Sequence, residues 1–404
     1  MNGKVRFVLL AIILLAAAPA WGQTPPPLPE TNAPETNPVA TQPKETPPKE
    51  ERPPELAQET NGMGSEGRLD FSDTRLPQAP EMLGDVPPAV LSVVPVVIQL
   101  PSQILQITTR NPNGEPITRT VVIPGGTVVI PGAAVPTSGR GFKIADDGSP
   151  RPQDRVFLDF NFFNDLFAAS NLRLGNTVQN FNLYRESLGV EKTFLDRTAS
   201  VGLALPLNTV TMESVLPNLN GTHTALGDLT AFCRYALWRD EASDNWLTAG
   251  LAITIPTGPS AIAGIDAPTI SHSTIFQPYL GALWHFGDFY VQGFFAVDTP
   301  TDSRDVTLLY SDLGIGYFLY RSWDASRFLT ALAPTVEVHS SNPVNHRGLP
   351  SLDNPLASFD FVDIGLGANV QFRGRFWLAL EAVTPVTGPR PFTIEALAQF
   401  RIHF

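Results

Sequence analysis

The chain has 404 residues, of which 16% are charged, with 25 phenylalanines, a net charge of −12 and one cysteine, Cys233. So little charge excludes the usual composition of a soluble enzyme. The acidic balance would repel a phosphate backbone and excludes nucleic acid as a partner, while one cysteine excludes a disulfide framework and a cysteine-based zinc site. Twenty-five of the 39 prolines precede residue 155 and 14 follow it, so two materials are joined near Asp154.

Lys4 and Arg6 precede an apolar run over 7–18 and the small residues Ala18-Pro19-Ala20, which predicts a secretory signal peptide over 1–22. The run is shorter than the roughly 17 to 25 apolar residues of a spanning helix. No later stretch suits one either, so a membrane-embedded mature chain must cross with strands.

Residues 23–85 predict a Pro-rich, disordered tether: eleven prolines lie among polar residues over 24–54, leaving too little apolar surface to offset ordering. It is either an inert linker or a spacer reaching the cell wall or a periplasmic partner. Over 86–154 the texture changes to β-branched runs such as VLSVVPVVIQL and TVVIPGGTVVIPG, a β-rich periplasmic segment. Asn113-Gly114 between 104–109 and 117–123 predicts a hairpin. The residues leave open whether this segment packs beneath a barrel, plugs it, or pairs with nothing.

From residue 155 to 404 the pattern predicts an all-β fold, a transmembrane antiparallel β-barrel of about 12 strands. The strands are 156–163, 180–190, 199–207, 228–238, 246–255, 276–284, 289–297, 310–320, 328–338, 361–372, 375–384 and 393–404. Odd-numbered connections are mostly long and even-numbered ones mostly short, as when long loops face outward and short turns face the periplasm. Trp238, Trp246, Trp284, Phe289, Tyr290, Tyr320, Trp323, Phe328, Phe376 and Trp377 gather at the short turns, which predicts an interfacial girdle.

Period two assigns the faces. Leu247, Ala249, Leu251, Ile253 and Ile255 share one side of the fifth strand, with Thr248, Gly250, Ala252 and Thr254 opposite. Val362, Ile364, Leu366, Ala368 and Val370 likewise oppose Asp363, Asn369 and Gln371. In the last strand Ile394, Ala396, Ala398, Phe400, Ile402 and Phe404 oppose Glu395, Gln399 and Arg401. Ending such a strand on Phe404 resembles the signal read by the barrel-assembly machinery.

Within 226–258, Gly227-Asp228-Leu229 opens a strand, Tyr235-Ala236-Leu237 leads to a short turn, and the next strand closes in Pro256-Thr257-Gly258. This stretch resembles the outer-membrane transporter family named for the MetA pathway of phenol degradation. The resemblance implies an outer-membrane barrel, a channel for small organic solutes, with outer-membrane lipid and a small-molecule solute as partners. The proline-rich half is no part of that family. Physically, Asp228 and the Pro256-Thr257-Gly258 end should meet at the outer rim.

Strand parity points Asp159, Asn161, Arg234, Asp312, Glu337, Asp363, Asn369, Gln371, Arg373, Glu381, Glu395 and Arg401 into the lumen. They either set a transverse field that orients a polar solute or pair with one another and fill the barrel. Small inward residues, among them Gly202, Gly250, Gly314, Gly316, Gly365 and Gly367, leave room for water, ligand or plug. His339-Ser340-Ser341 with Asn342 or Asn345 imitates a twelve-stranded outer-membrane phospholipase, but by parity it faces the lumen or outer rim rather than lipid and establishes no oxyanion donor. The expectation is therefore no enzyme. The histidines show no ligand spacing backed by carboxylates, so neither metal nor other cofactor is expected. A passive channel leads. A non-conducting structural barrel is the alternative.

Overall fold

The computed structural model describes residues 78–85, 90–175, 178–214, 219–240, 242–266, 271–324, 326–351 and 353–404. The expected signal peptide and nearly all of the Pro-rich tether lie outside the described residues.

Among the described residues, four strands precede the barrel. β1 (Leu91–Leu100) pairs with β4 (Gly126–Pro136), and β2 (Gln103–Arg110) pairs with β3 (Pro116–Ile123). The β2–β3 turn closes with Gly114 at φ +88, its amide donating to Asn111 O, so the Asn-Gly hairpin forms where the sequence places it.

Twelve barrel strands follow, with two short accessory strands. They are β5 (Arg155–Asn164), β6 (Gln179–Phe194), β7 (Ala199–Glu213), the accessory β8 (Gly221–Leu226), β9 (Leu229–Asp240), β10 (Asn245–Ile255), β11 (Ile275–Phe286), β12 (Phe289–Pro300), β13 (Leu308–Tyr317), the accessory β14 (Tyr320–Arg321), β15 (Leu329–Pro343), β16 (Phe361–Phe372), β17 (Phe376–Pro385) and β18 (Ile394–His403). Each barrel strand pairs antiparallel with the next, and β18 returns to β5 from Ile394↔Asn164 to His403↔Arg155, so the sheet closes with no free edge.

The alternation is physical. In β5 the pattern is buried at Arg155, Phe157, Asp159 and Asn161 and open at Val156, Leu158 and Phe160. Leu366 of β16 is 61% exposed while its neighbour Asp363 is fully buried. An apolar exterior around a charged interior inverts a soluble barrel and suits a lipid surround. Strand ends and the girdle depart from the sequence reading. β7 runs six residues further than expected and pairs with β8 inside an expected loop, helped by Thr209 Oγ1 and Thr224 Oγ1 at 3.0 Å. The girdle is also divided. Trp238, Phe289, Trp323 and Phe328 are exposed, whereas Trp246, Tyr290 and Trp377 turn inward and pack with Ala79, Leu283 and Phe318 at the short-turn end. Proximity to a turn does not fix the face; strand parity does.

The chain passes through its own barrel twice. Ala79 lies in the cluster at the short-turn end, residues 81–85 are buried along the lumen, and Val90 and Leu91 join Phe163, Phe167, Val306 and Phe392 at the long-loop end. The β1–β4 ribbon and its β2–β3 extension follow, with both faces of β2 and β3 exposed. The return pass starts at Val135, bridges Thr137 to Ala261 in a long loop, and ends at Asp154 beside the short 195–198 turn. The two passes run antiparallel: Thr137 N donates to Val90 O, and Met82 N donates to Gly148 O. The ribbon thus emerges among the long loops, and the passes that flank it fill the lumen, which is the plugging alternative that the sequence left open. Nothing in a β-branched pattern records which mouth a segment leaves by.

Candidate functional site: the threaded lumen

Charged contacts hold the two passes against the wall along the lumen. Near the long loops Arg140 Nη1 donates to Asp298 Oδ2 at 2.8 Å, and Nη2 reaches Asp305 Oδ1 at 3.2 Å and Val306 O. At mid-depth Lys143 Nζ lies 2.5 Å from Asp85 Oδ1 and 2.7 Å from Asp312 Oδ1. Deeper, Asp147 accepts from Arg155 Nη1 at 2.8 Å and from Arg401 Nε, and Glu81 faces Arg401 Nη1 at 3.2 Å. Arg234 donates to Ser149 O, and at the short-turn end Arg151 Nη1 reaches Asp244 Oδ2 at 2.8 Å. Backbone groups add to this: Gln399 Nε2 donates to Leu83 O at 2.6 Å, and Ile144 N donates to Gln277 Oε1 at 2.9 Å. Buried pairs of this kind lose hydration and regain it only in one geometry, so they fix register more than they add stability.

Most of the expected lumen residues are buried on the inner wall: Arg234, Asp312, Glu337, Asp363, Asn369, Gln371, Glu381, Glu395 and Arg401. Arg373 is not among them. β16 ends at Phe372, so parity stops there, and Arg373 sits exposed in the turn at φ +49 beside Gly374. Asp228 is buried at the rim, where it accepts from Gly258 N at 2.9 Å and lies 3.0 Å from His272 Nε2, while Leu229 N donates to Thr257 Oγ1 at 2.9 Å. Gly227 N completes the clamp by donating to Pro206 O. Those motif residues therefore tie two strand ends together, which follows from Asp and Thr acceptors placed beside unpaired amides.

The room left by small residues is filled. A Cβ on Gly367 would fall 2.4 Å from Leu83 Cδ1 of the threaded segment, and one on Gly365 would fall 1.8 Å from Glu381 Oε1. The rings of Phe232, Tyr279 and Tyr290 lie over Gly202, Gly250 and Gly316. Of the two lumen readings, pairing describes this state, with threaded residues as the main partners.

His339 and Ser341 face inward, as parity requires, yet they form no catalytic pair: His339 Nδ1 lies 3.0 Å from Asp312 Oδ1, and Ser341 Oγ has no hydrogen-bond partner. His339 is, however, ringed by carboxylates, contrary to the sequence reading. Glu337 shares the strand and parity of His339, but Asp85, Asp312 and Glu381 come from the threaded segment and two other strands, so no linear spacing shows the whole set together. Sequence reasoning also missed Glu81, Arg140, Lys143 and Asp147. A usable signal was present: residues 120–139 carry no charge, and then Arg140, Lys143, Asp146, Asp147 and Arg151 follow within twelve residues.

No protein-family model and no curated protein matches the sequence. Among solved structures, the chain is similar to the COG4313 outer membrane channel from Pseudomonas putida F1, at 13% identity and TM-score 0.45, over 64% of this chain and 97% of that one. The KdgM porin matches at 9% identity and TM-score 0.34, over 61% and 99%. The beta domain of the Bordetella autotransporter BrkA matches at 12% and 0.37, over 63% and 100%. Matches this distant carry no argument about solute or activity. The twelve-stranded, porin-like barrel of outer-membrane type rests on the closed sheet and its apolar exterior.

Proposed function

We propose that the protein is an outer-membrane channel for small polar solutes, held closed by its own threaded segment over 78–154. One observation carries the reading: the wall groups form a polar lining fit for water, while the segment that fills it is held by side-chain contacts and not by the barrel's backbone ladder. On the buried face of the wall, carboxylates such as Asp159, Asp363, Glu381 and Glu395 outnumber the guanidinium groups of Arg155, Arg185, Arg234 and Arg401. Several of those carboxylate oxygens have no hydrogen-bond partner when the segment is in place. Water would satisfy them once the segment left, and the acidic excess would favour cationic solutes. The motif over 227–258 keeps the resemblance to the MetA-pathway family within this reading, with passive flow of small organic molecules as its expectation.

Planar-bilayer conductance tests it, with the mature chain beside a form lacking 78–153, whose β5–β18 seam is intact. Steady cation-selective steps in the shortened form, with rare or absent steps in the mature chain, support a closed channel. Silence in both, with assembly confirmed by heat-modifiable gel mobility, would favour a non-conducting barrel that holds a ribbon at the long-loop face.

A further inference from the structure

At mid-lumen one ring nitrogen of His339 is held by carboxylates while the other makes no hydrogen bond. Its Nδ1 is 3.0 Å from Asp312 Oδ1 and 3.3 Å from Asp85 Oδ1, so carboxylates fix the orientation of the ring. Nε2 is fully buried and makes no hydrogen bond, and an ion there would take the place of any proton it carries. Metal-ligating histidines are held in this way, one nitrogen on a carboxylate and the other on the ion. Nε2 points at Glu337 Oε2, 3.4 Å away. Two ligands of a tetrahedral ion with bonds of about 2.1 Å stand about 3.4 Å apart.

The third group is Glu381, 6% exposed, with neither carboxylate oxygen hydrogen-bonded. The chain makes space for it: a Cβ on Gly365 would collide with Glu381 Oε1, and one on Gly314 would crowd Glu337 at 3.1 Å. Ligand atoms of Glu337, His339 and Glu381 all lie within 4.8 Å of one another. Glu337 is itself positioned by the threaded segment, whose Leu83 and Gly84 amides donate to its two oxygens at 2.9 Å each. Charge points the same way. Asp85, Asp312, Glu337, Asp363 and Glu381 share this region with Lys143, whose ammonium is already committed to Asp85 and Asp312.

We propose that Glu337, His339 and Glu381 bind a divalent transition-metal cation of the zinc class. One imidazole nitrogen with two carboxylates selects Zn2+, Co2+ or Ni2+ over the all-oxygen shells of Ca2+ and Mg2+. Asp312 is the outer partner that orients His339, and Asp85 with the Leu83–Gly84 amides closes the site from the threaded side. A bound ion would neutralise the carboxylate excess at the level where the segment meets β15 and β17.

The test is equilibrium of the full mature chain, assembled in detergent, with Zn2+ or Co2+, followed by desalting and metal analysis, with Co2+ absorption as the spectroscopic readout. The expected result is one ion per chain, with visible Co2+ bands of a nitrogen- and oxygen-ligated centre. Glu381→Gln and His339→Gln should each weaken binding by about tenfold or more, and Asp312→Asn by about 10- to 100-fold. His272→Gln at the rim should leave it unchanged. Glu381 loses no hydrogen bond on substitution, so its variant stays informative if the His339 variant fails to assemble. Absence of a retained ion, or retention unchanged in Glu381→Gln, would overturn the proposal. Conductance is not read in this test, so its outcome is independent of the channel reading.

Discussion

The barrel wall and the segment that threads it are made of similar residues and held by different physics. Each wall strand is paired along both edges by backbone hydrogen bonds, and its apolar face meets the surround while its polar face meets the lumen. The threaded passes exchange a few backbone bonds with each other and depend on Arg140, Lys143, Asp147, Arg151 and Glu81 for their place against the wall. A continuous ladder tolerates the loss of one side chain. A segment fixed by paired charges does not, because each deletion strands a buried partner.

The largest effect should therefore come from Arg401→Met, which removes the one cation shared by Asp147 and Glu81 and leaves them only Arg155 and His403. A cost of about 3–5 kcal/mol is expected, seen as a lower urea midpoint in detergent and as new protease cleavage within 137–154. A change below about 1 kcal/mol would remove the distinction between the two regions. Next is Leu366→Arg on the exterior of β16, which should cost about 2–4 kcal/mol of assembly in bilayers, while Thr118→Arg on the exposed ribbon should stay within about 0.5 kcal/mol. Equal tolerance at both positions would deny the exterior its lipid surround. Leu83→Ala tests the contact between the regions: losing the side chain seated over Gly367 should cost about 2 kcal/mol or more and raise the conductance of the mature chain. Unaltered gating in the variant would mean that Leu83 does not seat there. The smallest effect lies in a long loop, where the side chain and backbone amide of Arg304 hold the Asp302 carboxyl down to about 2 from its ordinary 3.8. A depressed carboxyl contributes above its ordinary range, and the contribution is lost as pH falls through about 2. In Arg304→Ala the titration of Asp302, followed by NMR, should return toward 3.8 with assembly unchanged.

The same contrast decides what could be read in advance. Strands such as 361–372 are legible to the residue because a lipid face and a wet face impose period two on every position. The clamp at Asp228 and Pro256-Thr257-Gly258 is legible because its acceptors sit at strand ends. Arg373 misleads because parity was carried one residue past the strand, and Trp246, Tyr290 and Trp377 because a ring beside a turn can face either way. The threading leaves no periodic trace. Its contacts join Glu81 to Arg401 and Arg140 to Asp298, pairs set by depth in the lumen and not by spacing along the chain. The His339 cluster is hidden for the same reason.

The most direct test of the threading is where the ribbon lies. In a chain carrying Cys233→Ser, Asn113→Cys at the β2–β3 tip is treated with a membrane-impermeant maleimide on intact cells, beside Asp196→Cys in a short turn. Labelling of residue 113 is expected on intact cells, and of residue 196 only after the outer membrane is breached. Labelling of residue 113 only after breaching would place the ribbon at the periplasmic mouth and contradict the double passage through the lumen.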